Sequence, residues 1–115
     1  MHIPVTRERL TPDLAIVPSQ APGFGEYELL APGVLLVAEV VSPYSRREDR
    51  DIKPQAYACG GIPLYLLIDK LADPPMATLL RQPGEHGYGK REAAGEALRL
   101  PKPFGIALDT ARLLG

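Results

Sequence analysis

Glu39 is an acid set inside an otherwise apolar run, Val34-Leu35-Leu36-Val37-Ala38-Glu39-Val40-Val41. An uncompensated carboxylate in such a strand costs several kcal/mol, so it calls for a metal ion, a cationic side chain or a raised pKa. The bland alternative is a strand end that meets water or a structural salt bridge. Asp13 opens a second short apolar run, Leu14-Ala15-Ile16-Val17. Two carboxylates converging on one sheet edge make a hard-oxygen site of the kind that holds Mg²⁺ or Mn²⁺. Lys53 lies on the segment that follows Glu39, and a crossover folding back over its strand brings the ammonium to the acids. There it could offset their charge, orient or deprotonate an attacking water, or stabilise a pentavalent phosphate transition state. Gln55 and Tyr57 on the same segment, and Val40 beside Glu39, are supporting candidates, with core packing the competing role for Tyr57. Arg46, Arg47 and Arg50 are candidate phosphate contacts, but Glu48, Asp49 and Asp51 nearly cancel their field, which suits a solvated loop as well. The acids and Lys53 also fit a buried ion cluster that only fixes the fold.

The elements that must position these groups are short. Thirteen prolines and eleven glycines in 115 residues favour strands joined by turns over long helices. The first ten residues are polar and unpatterned, Leu14–Val17 reads as a short strand stopped by Pro18, and residues 19–33 read as a loop with a helical turn around Glu26–Leu30. The run Val34–Val41, apolar at both parities, reads as a central strand covered on both faces. Asp51 is the preferred N-cap of a helix that ends at Gly60-Gly61, because this start puts Pro54 in the tolerant first turn. A start at Ser45, with Glu48 completing a capping box, would bury Pro54 in the helix interior. Leu64–Ile68 reads as a second buried strand, so strand, helix and strand form a right-handed βαβ unit with parallel strands. The runs Met76–Arg81 and Tyr88–Glu92 flank a hairpin tip, Ala97–Leu100 reads as a further strand, and Asp109 caps a terminal turn over Thr110–Leu114. The expected architecture is α/β, a small mixed sheet in one domain spanning residues 1–115.

Composition narrows the function classes. Thirteen Lys and Arg against fourteen Asp and Glu leave a net charge of -1, so no global basic field draws the chain to nucleic acid or an anionic membrane, and any such contact is local. The apolar runs are far shorter than a membrane span, the first residues lack a signal peptide's apolar core, and a cytoplasmic protein is expected. Cys59 is the single cysteine, and His2 and His86 stand far apart, which argues against a disulfide or a zinc knuckle. No dinucleotide or nucleotide-triphosphate loop motif occurs.

Taken jointly, PDLAIVP, VAEVVSPYSRREDRDIKPQAYACGGIPLYLLID and LRLPKPFGIALDTARLL resemble the Uma-two family of the PD-(D/E)xK nuclease superfamily. The resemblance implies a restriction-endonuclease-like core and divalent-metal-dependent hydrolysis of phosphodiester bonds in nucleic acid, with DNA the expected substrate. It makes Asp13 and Glu39 the metal-binding acids. The plain motif wants lysine two residues after Glu39, where this chain has Val41, and the family arrangement supplies it from the following helix as Lys53. The chain also begins just before the first acid's strand, without the family's usual N-terminal helix and strands. That departure predicts a free sheet edge, self-association as a homodimer or larger assembly, and, as the alternative function, an inactive nuclease-like interaction module.

Overall fold

The structure is a computed structural model that describes residues 2–3, 8–9, 12–16, 33–95 and 97–115. The helical turn expected at Glu26–Leu30 lies outside them, as does Val17. Two two-residue strands, β1 (His2–Ile3) and β2 (Glu8–Arg9), pair antiparallel in the segment read as unpatterned. Elements that short leave no alternation to read.

A five-stranded sheet organises the rest, in the order β3-β4-β5-β6-β7: β3 (Leu14–Ile16), β4 (Leu36–Val40), β5 (Leu64–Asp69), β6 (Met76–Gly84) and β7 (Gly87–Ala93). Only β4 and β5 run parallel, which is the expected βαβ unit, and the remaining neighbours are antiparallel. Side chains alternate across the sheet. Val37, Val41, Tyr65, Leu67 and Leu80 meet Ala56 and Tyr57 of the crossover helix, while Leu36, Ala38, Leu64, Leu66 and Leu79 meet Leu98 and Leu100 on the other face. Cover on both faces is why β4 and β5 are apolar at both parities.

The second cover comes from β8 (Ala97–Arg99), β9 (Ala107–Asp109) and the short helix α2 (Thr110–Leu114). Asp109 caps α2, accepting the Ala111 N–H at 3.0 Å, as its position before the apolar run implies. The strand β9 is an addition to the expected pattern. At the tip of the β6–β7 hairpin Gly84 pairs with Gly87, leaving Glu85-His86 as a two-residue turn.

The crossover corrects one expectation. Helical backbone begins at Arg46, not after Asp51, and continues through a π-helical turn, Glu48–Ile52, into α1 (Lys53–Cys59). The Asp49 N–H still bonds the Ser45 carbonyl in α spacing, but the Lys53 N–H reaches back five residues to Glu48. Ordinary α spacing would press the Pro54 ring onto the Arg50 carbonyl, and one wider turn relieves that clash without ending the helix. The far end stops in a Schellman motif: the Ile62 N–H bonds the Tyr57 carbonyl and the Gly61 N–H bonds that of Ala58, with Gly61 at φ 79°.

A buried hydrogen bond helps tie the π turn to the sheet. Tyr65, fully buried on β5, donates its hydroxyl to the Asp49 carbonyl. Tyr65→Phe leaves that carbonyl without this donor and is expected to lower stability by about 1–2 kcal/mol in urea unfolding. Among the described residues no helix is long and apolar enough to cross a membrane.

Candidate active site

Sheet register brings the two acids together. Leu14 pairs with Ala38 across the antiparallel β3–β4 ladder, so one step further along Asp13 stands opposite Glu39. The Val40 N–H donates to Asp13 Oδ2 at 2.7 Å, which fixes that carboxylate across the strand end and leaves Oδ1 free of this bond. Val40 therefore contributes its backbone, while its side chain is exposed.

Glu39 points to the α1 side of the sheet and is 1% exposed. Lys53 Nζ donates to its Oε2 at 3.1 Å and the Tyr57 hydroxyl to its Oε1 at 3.2 Å. Lys53 and Tyr57 are four residues apart and so share one helix face, which lets a single turn supply a donor to each oxygen. Gln55 falls on the opposite face, exposed in a cleft between α1 and the β6–β7 hairpin with Arg91 and Tyr88. The fold does not bring it to the acids.

The electrostatics follow from burial. Desolvation pushes the Glu39 carboxyl up to about 7, against the pull of the Lys53 ammonium, and the charges of Asp13 and Asp49 add to the rise. For Lys53 burial pulls the other way, but the hydrogen bond and charge of Glu39 and the charge of Asp49 outweigh it and hold its pKa above the ordinary lysine value. It is an ammonium at neutral pH. In that form it can orient a water and stabilise negative charge.

Asp49 is a residue to which sequence reasoning gave no role at the site. Read as one acid in a mixed charge run, it is 1% exposed. Ser45 Oγ donates to its Oδ2, and Ser42 Oγ lies 2.8 Å from Ser45 Oγ. Lys53 Nζ sits 3.3 Å from Oδ1, close enough for charge attraction yet without hydrogen-bond alignment, so Oδ1 has no hydrogen-bond donor among the described residues. The available signal was spacing: Ser45, Asp49, Lys53 and Tyr57 recur every fourth residue, one stripe of a helix.

The arginines divide. Arg50 makes a two-point pair with Asp69, Nε to Oδ2 at 2.7 Å and Nη2 to Oδ1 at 3.0 Å, which lowers the Asp69 pKa. Asp69 also accepts the Leu71 and Ala72 N–H groups, which caps the end of β5. Arg50 is thus engaged within the fold, whereas Arg46 and Arg47 are exposed and have no ion-pair partner among the described residues.

The donor set suits a hard cation. Asp13, Glu39 and Asp49 lie around one ammonium among the described residues, and the charges of Asp13 and Asp49 add a smaller push to the rise in the Glu39 pKa that burial mainly causes. No cluster of three or more potential metal ligands occurs among the described residues, so an ion would rely on Asp13, Glu39 and oxygen atoms of water or substrate. A model of the Uma2 family, described as "Putative restriction endonuclease", matches residues 1–111. No curated protein and no solved structure matches the chain.

Proposed function

Since the chain belongs to the Uma2 family of restriction-endonuclease-like nucleases, we propose that it hydrolyses phosphodiester bonds of DNA with Mg²⁺ or Mn²⁺ held by Asp13 and Glu39. One observation carries the reading: two acids from neighbouring strands and a lysine from the crossover helix, far apart in sequence, meet at one end of the sheet. A bound divalent cation supplies positive charge to the scissile phosphate and lowers the pKa of a water.

The chain's own residues do the rest. Tyr57 and Lys53 hold the two Glu39 oxygens in place. The Val40 amide holds Asp13 so that Oδ1 can serve as a ligand. An ammonium carries three donors, so Lys53 can bind Glu39 and still donate to a phosphate oxygen or orient the attacking water. In this reading Arg46 and Arg47, exposed where the helix begins, contact the phosphate backbone of the substrate. A homodimer paired through the outer edge of β7 accords with this reading, since β7 is an edge of the described sheet.

The test is cleavage of supercoiled plasmid across a titration of Mg²⁺ and of Mn²⁺. Cutting is expected only with the cation, and Asp13→Ala is expected to be at least about 100-fold slower. Cutting in chelator, or equal cutting by Asp13→Ala, refutes the assignment. No cutting under any condition, together with no calorimetric cation binding, replaces it with the inactive interaction module.

A further inference from the structure

We infer that Asp49 is a positioning residue for the Lys53 ammonium, the inner end of a brace that runs Ser42–Ser45–Asp49–Lys53 and holds the ammonium against Glu39. The inference rests on the nuclease reading for its kinetic consequence but not for its geometry. A lysine delivered from a helix ends a long flexible stem, and contact with one carboxylate fixes a distance without fixing a direction. Here the ammonium lies between two buried carboxylates, 3.1 Å from Glu39 Oε2 and 3.3 Å from Asp49 Oδ1.

The second carboxylate is itself aimed. Ser45 occupies Oδ2 and thereby turns Oδ1 toward Lys53. Ser45 is fixed in turn, because its hydroxyl also meets the Ser42 N–H at 3.1 Å and the Ser42 hydroxyl, and its own N–H bonds the Ser42 carbonyl at 3.1 Å. From below, Tyr65 holds the Asp49 carbonyl. The π turn between Asp49 and Lys53 serves the same end. Across that turn the ammonium comes within 3.3 Å of the acid four residues before it. A buried acid at a helix start also has a purely structural use, since it favours the helix dipole, and the test must separate the two.

Asp49→Asn keeps the acceptor for Ser45 and removes the charge. Ser45→Ala keeps both charges and removes the aim. In plasmid cleavage kcat is expected to fall about 100-fold for Asp49→Asn and about 10-fold for Ser45→Ala, with KM within about twofold of wild type in both. The side-chain ammonium of Lys53 in ¹⁵N-labelled protein is expected to give an ordered, slowly exchanging NMR signal that is lost in both variants, with folding checked by thermal melts. An ammonium signal unchanged in either folded variant overturns the inference and leaves Asp49 a helix-stabilising acid. Should Asp49→Asn fail to fold, Ser45→Ala decides by the same two readouts. If wild type does not cut DNA, the nuclease reading fails alone, and the ammonium signal still decides whether Asp49 positions Lys53.

Discussion

Glu39→Gln is expected to abolish cleavage, by at least about 1,000-fold, and at the same time to stabilise the cation-free protein by up to about 3 kcal/mol at pH 8. Both effects have one origin. The carboxyl is 1% exposed and burial raises its pKa from the ordinary 4.5 to about 7, so the folded state holds a proton that the unfolded state releases. Between those two values stability falls as pH rises. The contribution of the protonated acid is fully present below about pH 4.5 and is gone once pH has passed about 7. Glutamine is neutral throughout and removes that slope, while its oxygen can still accept from Lys53 and its amide can meet the Tyr57 hydroxyl. What it cannot do is bring negative charge to a cation. Urea unfolding of both proteins at pH 5, 6, 7 and 8 without divalent cation measures the effect, and parallel curves would falsify the buried-carboxylate account. Adding Mg²⁺ or Mn²⁺ is expected to raise the wild-type midpoint and leave that of Glu39→Gln unmoved, a readout independent of cleavage.

That the proposed function and an instability fall on one carboxylate fits the way Glu39 stands out in the sequence: an acid in the middle of a two-faced apolar strand breaks the local rule. The sheet was legible for the related reason that its inner strands, β4 and β5, are apolar at both parities and bracket a helix ended by Gly60-Gly61. What stayed hidden depended on packing across distance. Asp49 looks like its neighbours in Arg46-Arg47-Glu48-Asp49-Arg50-Asp51, because nothing local distinguishes an acid that turns inward from one that turns out. Its burial follows from the π turn, and that turn follows from a conflict between Pro54 and a helix already begun at Arg46. Weighing the proline alone moved the expected start to Asp51. The strand β9 was missed because it follows the Pro101–Gly105 turn and has only three residues, its pairing decided by β8. Arg50 was read as a candidate phosphate contact or as part of a solvated loop balanced by its acidic neighbours, whereas its partner, Asp69, is reached only through the crossover.

Lys53→Met is expected to move stability in the opposite direction from Glu39→Gln. The ammonium is the one cation among the described residues that Glu39 and Asp49 share, and both carboxylate side chains are almost fully buried, at 1% and 2% exposure. Methionine keeps the stem and its packing but leaves two acids without compensation. Breaking a buried ion pair by removing one partner costs about 3–5 kcal/mol, a large share of the roughly 5–15 kcal/mol that holds a domain together. The loss has a signature in pH: it is largest at pH 8 and shrinks toward pH 5, where Glu39 can take up a proton in place of its lost partner. Cleavage is expected to fall by about 100- to 1,000-fold even at pH 6 and saturating Mn²⁺, because the donor to the phosphate or water is missing whatever the charge of Glu39. Urea unfolding across pH and plasmid cleavage on the same preparations read the two effects separately. A destabilisation that does not vary with pH would mean that the lysine stem, not its charge, holds α1 to the sheet. Full cleavage by a stably folded Lys53→Met protein would remove the helix-borne lysine from the reaction altogether.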